Sequence, residues 1–137
     1  MTVQLLDDGY LFRSAIDKVS GLHGTLLFTR RPMLPADVEE AQAAVDAGMR
    51  SGNPRMASAA AARTIESFVT EWNVVGKGGA IVPVTAENAA KLPPAIYNKL
   101  LLVLYGSRSS DKRDDWTPDE LAEWQAGYGS PVEQRKN

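Results

Sequence analysis

Cysteine is absent from the 137-residue chain. With it go disulfides, thiolate metal sites and a cysteine nucleophile, and the absence fits a reducing compartment. Histidine occurs once, as His23, so no histidine metal cluster can form. Neither sign of charge dominates: 15 basic against 17 acidic residues leave a formal charge of −2. Nothing in that balance draws the chain to nucleic acid or to anionic lipid. Long apolar runs are missing too. The longest spans residues 100–105, far short of the roughly 20 residues that cross a bilayer. The opening MTVQLLDDGY carries acids where a signal peptide needs an apolar core. These absences set the expectation of a cytoplasmic protein with no membrane span, no nucleic-acid partner, no metal and no cofactor. The length fits one domain with a modest core.

What is present includes one glycine cluster, EWNVVGKGGAIVPVT over residues 71–85. A phosphate-binding loop needs a strand, then GxxxxGK[ST], then a helix whose N-terminal amides face the phosphate. Here a helical pattern comes first and an extended segment follows, so the polarity is inverted. The simpler reading is a turn in which Gly76, Gly78 and Gly79 supply positive φ angles and Val74 and Val75 pair with Ile81 and Val82. Pro83 lacks a ladder donor and marks a strand end.

The rest of the chain divides by pattern. Residues 9–15 and 22–31 are rich in aromatic, aliphatic and threonine positions around a turn containing Asp17, Lys18, Ser20 and Gly21, which predicts a hairpin. In LPADVEEAQAAVDAGM, Val38, Ala41, Val45 and Met49 recur at helical spacing, with Asp37, Glu39 and Glu40 in the first turn. In GNPRMASAAAARTIESFVTEW, Asn53 caps, Pro54 opens the helix, and Ala57, Ala61, Ile65, Phe68 and Trp72 form one stripe. Thr85 caps the short AENAAKL. Pro93 and Pro94 then break the chain before PAIYNKLLLVLYG, whose Ile96, Leu100, Val103 and Leu104 share one side. Leu101, Leu102 and Tyr105 widen that surface toward either a central core position or another chain.

After Gly106 the composition turns to SRSSDKRDD, without an apolar residue, which predicts a solvated linker. The tail then resumes as WTPDELAEWQAGY. Thr117 caps, Pro118 takes the first helical position, Glu120 completes a capping box, and Trp116 can staple to Leu121. Leu121, Trp124 and Tyr128 lie along one face of a helix too short to stand alone in water. It must dock on its own domain or on a partner. The end, SPVEQRKN, is expected to be disordered. The organisation so read is a globular domain over residues 1–106 and, over 107–137, a polar linker with a short amphipathic helix and a disordered end. The fold class is α+β, mainly α: an N-terminal β-hairpin, a small helical bundle, a short central hairpin after Trp72, and a C-terminal helix.

No catalytic constellation emerges. The carboxylate pairs Glu39–Glu40, Asp114–Asp115 and Asp119–Glu120 fall on helix starts or in the linker, where helix dipoles and solubility explain them. His23, with Ser14, Asp17 and Ser20 nearby in sequence, lacks the strained turn of a nucleophile. A site assembled from distant residues such as His23, Tyr97 and Asp17 is the ligand-binding or enzymatic alternative. The candidate partner-binding residues are Trp116, Leu121, Trp124, Tyr128, Leu101 and Tyr105.

Taken together, FTRRPML at residues 28–34, two helices, FVTEWNVVGKGGAIVPVT and ENAAKLPPAIYNKLLLVLYG resemble the tail assembly chaperones of long-tailed bacteriophages and prophages. The resemblance covers about residues 9–106, with Trp72, Pro83, Thr85, Asn88 and Pro93 standing where the family pattern places them. It implies a non-catalytic protein of the host cytoplasm. Such a protein binds the tape measure protein, keeps that long helical chain soluble, and helps recruit tail tube subunits, with homo-oligomers possible. The segment after Ser107 departs from the pattern and takes no role from it. The alternative is a small structural protein of the virion, a tail or head–tail connector component, using the same apolar faces for permanent contacts.

Overall fold

The computed structural model describes residues 3, 5, 6, 9–111 and 114–126. The expected N-terminal hairpin is present with shorter strands and a longer loop. β1 (Phe12–Ile16) runs antiparallel to β2 (Leu26–Arg30), with Phe12 opposite Arg30 and Ile16 opposite Leu26. After the turn come two helices, α1 (Pro35–Arg50) and α2 (Pro54–Phe68). The start of α1 is set by the Leu34 N–H donating to Asp37, and that of α2 by the Asn53 side chain accepting the Arg55 N–H ahead of Pro54.

α2 ends at Phe68, and residues 69–72 form β3 (Val69–Trp72), which pairs with the far side of β2 to give the order β1-β2-β3. This corrects the expectation of one helix running on to Trp72. Val69 and Thr70 are β-branched, and an unpaired β2 edge offers them ladder partners that a further helical turn would forgo. Trp72 is nonetheless buried. It is only 1% exposed, stands opposite Phe28, and donates its indole N–H to the Val82 carbonyl at 2.7 Å.

The glycine segment is a turn, as its element order predicts. Val75 bridges Ile81, the Gly76 N–H reaches the Ala80 carbonyl at 3.0 Å, and the Val82 N–H reaches Val74 at 2.9 Å. Of the three glycines only Gly79 takes a positive φ, 83°; Gly76 and Gly78 do not, against expectation. The Thr85 hydroxyl accepts the Asn88 N–H to open α3 (Ala86–Ala89), and Pro93 precedes α4 (Pro94–Tyr105). Left-handed Gly106, at φ 82°, stops α4. The last described element is α5 (Pro118–Ala126). The class is thus α+β with helix in excess, as the patterns predict.

One face of the sheet, carrying Ile16, Leu26, Phe28, Val69 and Trp72, packs on Ala62 and Ile65 of α2 and on Ile96, Leu100, Val103 and Leu104 of α4, with Ala89 and Leu92 between. At one end of that face Arg30 donates to the Ser14 hydroxyl at 3.1 Å and stacks on Phe12 at 4.7 Å. α1 packs mainly against α2. Its Val38, Ala41 and Val45 are half-buried, whereas Met49 is 65% exposed, so the expected stripe closes only partway along the helix. The point of closest approach is Gly48, where an added Cβ would lie 2.5 Å from the Ala57 nitrogen.

Candidate functional site

The segment read as a solvated linker is instead held along the open edge of β1. The Ala15 N–H donates to the Ser110 hydroxyl at 2.8 Å, the Asp111 N–H donates to the Ala15 carbonyl at 2.9 Å, and the Asp17 N–H donates to the Asp111 carboxylate at 2.8 Å. Arg108 pairs with Asp111 at 2.7 Å and steadies that carboxylate. An edge strand exposes backbone N–H and C=O groups, and polar residues are what satisfies them. The absence of apolar residues in this segment is therefore compatible with docking.

The helix beyond it starts as its sequence predicts. The Thr117 hydroxyl accepts the Glu120 N–H at 3.1 Å, and the Glu120 carboxylate accepts the Thr117 N–H at 2.8 Å, a complete capping box. The Trp116 indole N–H donates to Asp17 at 2.6 Å, Lys18 pairs with Glu120 at 3.3 Å, and the Arg13 guanidinium sits 5.5 Å from the Trp124 ring. Trp116 and Trp124 meet edge to face, with centroids 6.1 Å apart. Burial works to raise the Glu120 pKa, but hydrogen bonds from the Thr117 N–H, the Thr25 hydroxyl and Lys18, with the Lys18 charge, hold it below the usual carboxylate range.

The side chains these contacts reach, Arg13, Asp17 and Thr25, alternate onto the second face of the sheet, the one that also carries Ala15, Leu27 and Thr29. Those last three are at most 1% exposed. The tail therefore covers the face opposite the helical core. Of the residues expected to meet a partner, Trp116, Leu121 and Trp124 are half-buried, and both tryptophans are engaged with the chain's own sheet. Tyr128 lies outside the described residues, as does the end expected to be disordered. Leu101 and Tyr105 belong to α4 on the other side of the sheet. Leu101 packs at the margin of the core, and Tyr105 is half-buried on the same helix. Burial raises the pKa values of both Tyr97 and Tyr105, the Thr64 side chain partly opposing this at Tyr105.

Between the β1–β2 loop and the tail lies a cavity of about 650 Å³ lined by Asp17, Lys18, His23, Thr25, Asp115 and Trp116, among others. The structure thus brings Asp17 and His23 together. It leaves Tyr97 elsewhere, with its hydroxyl donating to the Ser58 carbonyl at 3.2 Å. Asp115, half of a carboxylate pair read as linker solubility, is the lining residue that sequence reasoning missed. Its contribution depends on tail docking, which no local pattern announces. A shallower groove of about 370 Å³ runs between α1 and α2, with Asp37, Glu40 and Arg63 on its rim.

Among the described residues no helix is long and apolar enough to cross a membrane, and no three His, Asp or Glu side chains group as metal ligands. Among the described residues the outward large apolar side chains are Val3 and Leu5 near the N-terminus, Val19 and Leu22 in the β1–β2 loop, Leu34 before α1, Met49 and Met56 beside the α1–α2 turn, Val75 and Ile81 on the glycine turn, and Leu102 on α4. No family model, curated protein or solved structure matches the chain.

Proposed function

We propose that the chain is a non-catalytic assembly chaperone for a long phage tail, binding the tape measure protein and supporting assembly of the tail tube. The observation that carries this reading is that Trp72, Pro83, Thr85 and Asn88, four of the residues bearing the family resemblance, are tied together through the stretch that follows the glycine turn. The Trp72 indole donates to Val82, the Asn88 side chain donates to the Pro83 carbonyl at 2.9 Å, and the Asn88 N–H donates to Thr85 at 3.1 Å. A pattern of isolated surface residues would have no such reason to occur together.

The surface offered to the client differs from the one the sequence suggested, because Trp116 and Trp124 are already engaged. Met49 and Met56 flank the α1–α2 turn at 65% and 51% exposure, and their flexible thioether side chains suit a helical client of varied sequence. The test is coexpression with a candidate tape measure protein. The wild type should keep it soluble and copurify with it. Met49→Asp/Met56→Asp should lose that capture with an unchanged melt, because neither side chain is buried. Failure of the wild type to bind removes the proposal. Recovery of the chain from purified virions by mass spectrometry would favour a structural component instead.

A further inference from the structure

We propose that the cavity between the β1–β2 loop and the tail binds a cationic hydrogen-bond donor, an alkylguanidinium or alkylammonium group. The inference rests on which lining groups are already engaged. Lys18 is paired with Glu120, the Thr25 hydroxyl accepts the Lys18 backbone N–H at 3.2 Å, and the Trp116 N–H is directed to Asp17 Oδ1. His23 Nδ1 donates to the Gly24 carbonyl at 2.8 Å. Apart from the Ser20 hydroxyl, the lining side-chain donors have partners.

The acceptors do not. Asp17 Oδ2 and both oxygens of Asp115 receive no hydrogen bond among the described residues. Two carboxylates beside an indole complement a group that brings donors and positive charge. Phosphate, carboxylate or a nucleotide would meet the like charge of Asp17 and Asp115. Val19 and Leu22, 38% and 62% exposed, line the same cavity and offer apolar surface to the aliphatic stem that carries such a group. The chemistry is the same whether the cation arrives on a free polyamine or on an arginine or lysine of another chain. The site stands apart from the assembly reading and does not depend on it.

The experiment is a ¹H–¹⁵N titration of the full chain with agmatine, with spermidine, and with acetyl-Gly-Arg-Gly-amide against its alanine counterpart, at constant ionic strength. The expected result is a saturable shift of the Trp116 indole N–H, absent with the alanine peptide. Asp115→Asn should weaken binding at least fivefold and leave the melt unchanged, since that carboxylate has no partner among the described residues. Asp119→Asn, exposed and outside the cavity, should change nothing. Saturation by the arginine peptide alone assigns the site to a partner's side chain, and by the amines alone to a small molecule. No saturable shift with any of the three cations, a shift that survives Asp115→Asn, or an equal shift with inorganic phosphate would each overturn the proposal.

Discussion

Gly48→Ala places two well-characterised effects in opposition, and the structure decides the sign. In an exposed helix interior the change stabilises by about 1 kcal/mol, because alanine is the better helix former. At Gly48 the new Cβ would stand 2.5 Å from the nitrogen and 2.8 Å from the Cα of Ala57, and 2.7 Å from the carbonyl carbon of Met56. All three are backbone atoms and cannot rotate away. Ordinary carbon contacts lie near 3.5–4.0 Å, so the two helices must separate by roughly 1 Å. Forced separations of this kind cost about 1–3 kcal/mol, and here the upper part of that range applies, because the alanine-lined seam between α1 and α2 opens along with the contact. The expected net result is a loss of about 1–2 kcal/mol, a melting temperature lower by roughly 3–8 °C for a domain of this size. The assay is thermal and urea unfolding of wild type, Gly48→Ala and Ala43→Gly. The last variant sits on the exposed side of the same helix and reports propensity alone, at about 1 kcal/mol of destabilisation. A Gly48→Ala protein more stable than wild type would refute the close approach of α1 to α2.

Trp72→Ala should cost about 3–5 kcal/mol by urea unfolding, and Trp72→Phe less, since it keeps most of the ring and loses chiefly the bond to Val82. In the glycine turn Gly79→Ala should cost about 1–2 kcal/mol for its left-handed backbone, while Gly78→Ala, with no atom within 4 Å of its Cβ, should fall within about 0.5 kcal/mol of wild type. Glu120 is held below its ordinary carboxylate value, so its contribution is present above the unfolded value of 4.5 and is lost as pH falls through the folded one. The protection of the Trp116 indole proton, taken relative to its intrinsic exchange rate at each pH, should accordingly fall in that acid window, and Glu120→Gln should lessen that fall. Ending the chain at Gly106 removes the bonds of Ser110 and Asp111 to Ala15 and Asp17 and that of Trp116 to Asp17, at about 1 kcal/mol each, and uncovers the second sheet face. The melt should drop by about 10 °C or more, and an unchanged melt would show that the tail contributes nothing to the fold.

Legibility tracked how local the determining physics is. Pro54, Thr85, Pro93, Gly106 and Thr117 each act within one turn of their own position, and the helix boundaries they mark lie at or beside them. The α2–β3 junction was harder to read. Helical spacing continues through Val69 to Trp72, and what ends the helix is a β2 edge some 40 residues away in sequence, with Thr29 opposite Glu71. Met49 shows the opposite failure. Its spacing is right for the apolar stripe, but α1 rests chiefly on α2 and the seam does not extend over its last turn. The cavity was half visible, in Asp17 and His23. Its other wall, Asp115 and Trp116, arrives only when a segment roughly a hundred residues later returns to β1.

That return has a trace in the sequence after all. A strand covered on one face alternates buried and exposed residues, whereas a strand covered on both reads as a continuous apolar run. β2 opens with Leu26-Leu27-Phe28-Thr29, all four at most 2% exposed. Leu26 and Phe28 meet the helical core, so Leu27 and Thr29 require a second cover. α2, α3 and α4 are committed to the first face and α1 lies outside α2, which leaves the tail. The polar composition of SRSSDKRDD argues against burial in a core but not against pairing with a strand edge, whose unmet needs are hydrogen bonds. Ser110 and Asp111 supply them to Ala15 and Asp17. The capping box of Thr117 and Glu120 then starts a helix where the second face begins. An apolar run without alternation, in a chain whose other helices are all assigned to one side, is thus itself a statement that the C-terminal segment belongs to the domain.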